Sequence, residues 1–223
     1  MIRFLFSLCI LSIPVIALSQ ENQITQDPAA EEILDRVAAK TSQMKSLKAD
    51  FELVIEDRKE KTKNTSEGSL LLKQNKYKIN SQGNTVYYDG TTMWTYVSDN
   101  NEVTITEPDV REEDIFTSPY LIFSNYKNNF KYRYVRNATI SGTRYHEIDL
   151  FPKNLNQPYS RIKVFVSVKN ELPEIISSIG KDGIDYTVSL KNYAIGVEVN
   201  DATFVFDPSK FKKVEVVDMR GLK

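Results

Sequence analysis

From Leu47 onward, apolar and polar positions alternate with the period of two that marks half-buried β-strands. Over Leu47–Asp57, Ala49, Phe51, Leu53 and Ile55 fall on one face and charged residues mostly on the other. Arg58–Ser66 is polar and reads as a solvated hairpin tip. The stretch 67–105 then reads as a meander of short strands. Leu70 and Leu72 share one face of the first, Tyr77 and Ile79 share one face of the next, and Met93–Val97 and Val103–Ile105 follow. Asp89-Gly90 is a hairpin signal, because the glycine supplies a positive φ cheaply. Asp99-Asn100-Asn101 marks the next reversal. Strands return at Phe130, with Tyr132 and Tyr134 on its face and Lys131 and Arg133 on the other. They continue at Arg144–Phe151, Arg161–Val168, Glu174–Ile179, Ile184–Lys191 and Thr203–Phe206.

Two segments carry helical spacing instead. Asp27-Pro28 supplies an N-cap and a first helical residue, after which Ala30, Ile33, Leu34, Val37, Thr41 and Met44 recur on one face. Ser118-Pro119 opens a short apolar helix, Tyr120–Phe123, whose Leu121, Ile122 and Phe123 need covering. The pattern predicts a mainly β protein of about eleven strands and two helices, with no linker to divide it. Residues 20–223 are expected to form one antiparallel sandwich or barrel.

Residues 1–19 differ in kind. Arg3 precedes an apolar run from Phe4 to Leu18, and Ala17-Leu18-Ser19 puts small residues before Gln20. This is the pattern of a cleaved secretory signal, too short and wrongly flanked for a membrane span. The single cysteine, Cys9, leaves with it, so the mature chain is expected to have no disulfide and no thiolate chemistry. Losing Arg3 leaves 28 of the 29 basic residues against 30 acidic ones. That near-neutral balance gives no global attraction for nucleic acid or anionic lipid.

Catalytic patterns are missing. The one histidine, His146, shares strand parity with Ile148 and Leu150 and reads as a structural side chain. No second histidine follows one turn on, there is no G-x-S-x-G elbow, and eight glycines stand singly at turns rather than in a phosphate loop. The acidic run Glu107–Asp114 matches no calcium loop. Binding is left as the expected activity, with no enzyme chemistry, metal or cofactor. A sheet rich in Tyr, Phe, Leu and Ile can enclose a filled core or a cavity, and composition does not separate the two.

The ordered set of the Asp27 helix, Leu47-Lys48-Ala49-Asp50-Phe51, Gly68-Ser69-Leu70-Leu71-Leu72-Lys73 and Asp89–Tyr96 resembles the LolA family, periplasmic carriers of outer-membrane lipoproteins. Ser118-Pro119-Tyr120-Leu121, Tyr145–Pro152 and Thr203–Pro208 extend the likeness over the mature chain. The resemblance implies an incomplete, curved antiparallel barrel closed by helices that act as a lid. It implies an apolar cavity lined by Phe51, Leu53, Leu70, Leu72, Tyr77, Ile79, Trp94 and Tyr96. The lid would draw on Ile33, Leu34 and Val37 of the first helix and on Leu121, Ile122 and Phe123.

The same resemblance implies a periplasmic monomer that accepts acylated lipoproteins from an inner-membrane ABC transporter and passes them to an outer-membrane acceptor. Family members often carry an arginine followed by proline after the Leu70 strand, linked to lid closure. Here those positions read Lys73-Gln74-Asn75, and Lys73 or Lys76 are the available substitutes. Two other readings stay open: a carrier of another lipid or glycolipid, and a non-enzymatic envelope adaptor or sensor on the same fold.

Overall fold

The computed structural model describes residues 26–108 and 126–221. The expected signal segment and the expected Tyr120–Phe123 helix, with Leu121, Ile122 and Phe123, lie outside the described residues. Helix α1 (Pro28–Gln43) begins as its sequence dictates, with the Asp27 side chain accepting from the Ala29 N–H and Pro28 in the first turn. The strands are β1 (Leu47–Asp57), β2 (Thr62–Lys73), β3 (Lys76–Ser81), β4 (Asn84–Tyr88), β5 (Met93–Val97) and β6 (Glu102–Thr106). After a one-turn helix α2 (Tyr126–Asn129) come β7 (Phe130–Ile140), β8 (Thr143–Pro152), β9 (Tyr159–Ser167), β10 (Pro173–Gly180) and β11 (Ile184–Ile195). A short β12 (Glu215–Asp218) is the last strand among the described residues.

All twelve strands belong to one open, curved sheet, in the order β12-β6-β5-β4-β3-β2-β1-β11-β10-β9-β8-β7. Two hairpin meanders, β1–β6 and β7–β11, therefore meet at a single β1–β11 seam. The sheet does not close into a barrel, because β7 and β12 are its two ends. At one end, the backbone of Asp27 donates to the Tyr132 carbonyl at 3.2 Å and its side chain accepts from the Tyr134 N–H at 3.0 Å. The residue that caps α1 thus also occupies part of the edge of β7.

Helix α1 packs on one face of the β7–β10 half. Ala30, Leu34 and Val37 are fully buried against Tyr132, Ile148, Leu150, Ile162 and Val164. Side chains fix the helix from both ends. Glu31 accepts from Tyr132 and pairs with Lys127, Asp35 accepts from Tyr126 and Lys127, and Lys40 donates to the Asn170 carbonyl.

Three local departures from the sequence pattern have clear causes. Thr203–Phe206 alternates like a strand but forms a 3₁₀ turn over Asp201–Phe204, because the Asn200 side chain caps it by accepting from the Ala202 N–H. Part of Arg58–Ser66 is strand: β2 starts at Thr62, its backbone paired with Asp57 despite its polar side chains. Asp89-Gly90 opens a four-residue turn rather than a two-residue one. Asp89 accepts from the N–H groups of Thr91 and Thr92, and Gly90 takes φ 103°.

Gly68 marks a tight spot in the seam region. It lies directly opposite Phe51, and a Cβ there would meet the Phe51 ring at 2.3 Å and the Asn80 carbonyl oxygen at 2.4 Å. The backbone oxygen cannot swing away as a side chain can. Gly68→Ala is expected to cost about 1–3 kcal/mol, as overpacking typically does. Urea denaturation of the variant checks it, and a shift of the midpoint to lower urea is the expected result.

Candidate functional site

Cross-strand pairing assigns every strand residue to a face, since directly paired residues point the same way. Phe51 pairs with Leu190 and Gly68, Leu53 with Val188, Leu70 with Ile79, Leu72 with Tyr77, Ile79 with Val86, and Tyr77 with Tyr88. On the other meander, Ile176 pairs with both Val188 and Val164, and Val164 lies under α1. Phe51, Leu53, Leu70, Leu72, Tyr77 and Ile79 are thus gathered on the face that carries α1. Leu47, Leu72, Tyr77 and Tyr88 form a buried cluster there, against which Leu70, Ile79, Val86, Met93, Leu190 and Tyr193 pack.

This apolar field lies beside the α1-covered core, not beneath it. Ile33, Leu34 and Val37 belong to the β7–β10 cluster, so the structure does not bring the helix residues of the expected lid over the Leu70 field. Packing differs accordingly. Ile148, Leu150, Ile162 and Val164 are 0% exposed, whereas Leu53, Leu70, Ile79, Val86, Val188 and Leu190 remain half-buried.

Trp94 and Tyr96 are separated from the other six. Trp94 pairs with Tyr87 and Tyr96 with Thr85, and this parity places both on the opposite face. There the C-terminal segment packs on Tyr96 and on Tyr87, the cross-strand partner of Trp94. Phe206 lies 5.8 Å from the Tyr87 ring and 5.7 Å from the Tyr96 ring, and Phe211 approaches Tyr96 at 4.5 Å. The sequence could show that Trp94 and Tyr96 share a face, but not which one. Of the covering aromatics, Phe206 carries the alternation of a strand and Phe211 stands in no patterned segment, so neither announces the contact locally.

The β2–β3 hairpin at Lys73-Gln74-Asn75 holds the C-terminal segment. Gln74 occupies the β2–β3 turn with φ 55°. Lys76 pairs with Asp201 at 2.6 Å, and Lys73 pairs with Asp201 and donates to the Val199 carbonyl at 3.0 Å. Both lysines therefore tie down the C-terminal segment on the face opposite α1. Asn101 extends the tie by donating to the carbonyls of Lys212 and Lys213, just before β12 joins β6 in parallel.

Among the described residues, no group of three or more His, Cys, Asp or Glu side chains is arranged to hold a metal ion. His146 sits with Tyr134, their rings 6.0 Å apart, and its Nδ1 is buried. Burial and, secondarily, the nearby Arg36 charge lower its pKa, so the ring is neutral at pH 7. Glu174 is buried as a hub that accepts from Tyr145, Tyr193 and Asn170, a strand-bracing role.

Among the described residues, one open sheet with one long helix seated over half of a face, and an apolar field beside it, is the architecture of a LolA-like half-barrel. The family profile described as outer membrane lipoprotein carrier protein LolA matches residues 22–176, and the chain belongs to that family of carriers. No curated protein sequence matches the chain. An uncharacterized conserved protein from Thermus thermophilus has a similar fold. It is 12% identical at a TM-score of 0.57, with 84% of this chain and 98% of that one covered. A LolA superfamily protein from Nitrosomonas europaea aligns at 12% identity and a TM-score of 0.46 over 79% of this chain and 97% of that one. LprF from Mycobacterium bovis aligns at the same identity, TM-score and coverage.

Hydrogen bonds from Lys73 and Lys76 lower the Asp201 pKa from the usual 3.8 to about 2. A depressed carboxylate pKa means the tie is fully present above pH ~4 and is lost as pH falls through ~2. Trp94, the one tryptophan, lies on the face this segment covers and reports on it. Its fluorescence is expected to change between pH 4 and pH 2 in the native chain. In Asp201→Asn that step should be absent, with the low-pH signal already present at pH 7.

Proposed function

We propose that the chain is a lipoprotein carrier that holds acyl chains against the field of Phe51, Leu53, Leu70, Leu72, Tyr77 and Ile79. The observation that carries this reading is the contrast on one sheet face. The α1-covered half is sealed, while the adjoining half presents half-buried Leu53, Leu70, Ile79, Val86, Val188 and Leu190 around the more deeply set Phe51, Leu72 and Tyr77. Each methylene withdrawn from water is worth roughly 0.8 kcal/mol, so an acyl chain of ordinary length needs only partial cover to be held. Family membership supports the same class of cargo.

On this reading the protein works in the periplasm after its signal is removed. It receives acylated lipoproteins from an inner-membrane ABC transporter, acts as a monomer, and delivers to an outer-membrane acceptor. Trp94 and Tyr96 are left out of the binding surface, since the C-terminal segment packs on their face. The α1 residues Ile33, Leu34 and Val37 act as the fixed wall beside the field.

Native mass spectrometry of the protein purified gently from the periplasm tests the cargo. An acylated peptide or lipoprotein mass supports the proposal, and a diacyl lipid without peptide points to a carrier of another lipid. A bare protein that also ignores a hydrophobic dye would indicate the adaptor. Leu70→Glu should weaken dye or lipid uptake by about tenfold or more, the effect of losing ~1.4 kcal/mol or more of apolar contact. Trp94→Phe, on the opposite face, should leave uptake within about twofold of the native protein.

A further inference from the structure

The near-neutral total charge hides a segregation on the face opposite α1. Across β7–β9 that face carries Lys131, Arg133, Arg136, Arg161 and Lys163, and its only acids are Glu147 and Asp149. Parity alone would put Arg136 on the Tyr134 side. A bulge at Val135 shifts the register, so that Tyr134 pairs with Ile148 but Arg136 pairs with Glu147. Across the β1–β2 part of the same face acids only slightly outnumber cations, with Asp50, Glu52, Glu56 and Glu67 beside Lys48, Lys63 and Lys73.

The two carboxylates of the basic half lie below the cations. Asp149 accepts from Arg133 at 2.8 Å and Arg161 at 3.1 Å; Glu147 accepts from Arg136 at 2.7 Å and Lys163 at 3.0 Å. Their side chains are 2% and 3% exposed, against 44% for Arg133 and 68% for Arg136. Each acid is shared by two cations and withdrawn from the surface, so an approaching partner meets positive charge. The same pairing pins the cations in place, which lowers the entropy lost when they bind.

Apolar groups are interleaved among them. Val135 is 38% exposed, and Phe151 and Phe165 are half-buried on this face, with the Arg133 guanidinium 5.4 Å from the Phe151 ring centre. Cations set among aromatic and aliphatic side chains on a rigid sheet match a bilayer interface, where phosphates meet the outer acyl region. Charge within a Debye length of ~8–10 Å governs such contact, so the distant acids of β1 and β2 do not cancel it.

We infer that the β7–β9 face opposite α1 is a docking surface for anionic phospholipid headgroups. It stands on the far side of the sheet from the acyl-binding field and does not depend on the carrier reading. A protein held by this face keeps the Leu70 field turned away from the lipid surface.

The test is sedimentation of the exported, signal-free protein with vesicles of phosphatidylcholine alone or mixed with phosphatidylglycerol. Binding to the mixed vesicles at low salt, lost at high salt and absent with phosphatidylcholine alone, is the expected result. Lys131→Gln should weaken it by roughly fivefold, and the double variant with Arg136→Gln by roughly twenty-five-fold. Lys131→Gln touches neither buried carboxylate, so it keeps the test sound if the double variant folds poorly. Dye uptake should be the same in native protein and variants, which separates failure here from failure of the carrier reading. Equal sedimentation with both vesicle types, or no effect of either substitution, overturns the inference. Binding to an acidic polypeptide such as poly-glutamate but not to vesicles would also overturn it, in favour of an acidic protein partner.

Discussion

A sheet of twelve strands with no second sheet facing it among the described residues must cover two faces and two edges with very little other described chain. That constraint organises the protein. Among the described residues, α1 seals one half of one face and the C-terminal segment seals the opposite face at the other half. The two covers lie diagonally across the sheet. What remains uncovered by either is the apolar field around Leu70 on one side and the charged β7–β9 surface on the other. The functional readings of both surfaces follow from this diagonal arrangement, since each face keeps one half free of the described covering elements.

Much of the strand pattern was legible because the period-two signal is strong where one face is apolar. β5 was readable residue for residue, and the α1 start was fixed by Asp27-Pro28. The signal failed where side chains do not report pairing. Thr62–Glu67 is polar throughout, yet its backbone hydrogen-bonds to β1. β12 is four residues long and pairs in parallel with a strand over a hundred positions earlier, which no local pattern announces.

Parity also explains the limit on reading the candidate site. Alternation within one strand groups its residues but leaves open which group faces which side of the sheet. Joining Leu70 to Ile79 and Trp94 to Tyr87 required the register, and only the register put the two sets on opposite faces. The bulge at Val135 is the same problem in miniature, since one extra residue reassigns Arg136. Lys73 and Lys76 could be recognised as cations near the family's arginine, but their partner Asp201 is remote in sequence.

The seam has a consequence for how the chain is made. The two meanders are built from neighbouring hairpins and can form as each emerges, but β1 and β11 are joined across the whole length between them. The Glu52–Lys191 ion pair on that seam links residues 139 positions apart. Until β11 arrives, β1 is the bare margin of a half-finished sheet, with unsatisfied peptide groups that invite a foreign strand. A newly made chain therefore spends its most aggregation-prone interval waiting for its own second half, and the rate at which that half is delivered sets how long the interval lasts.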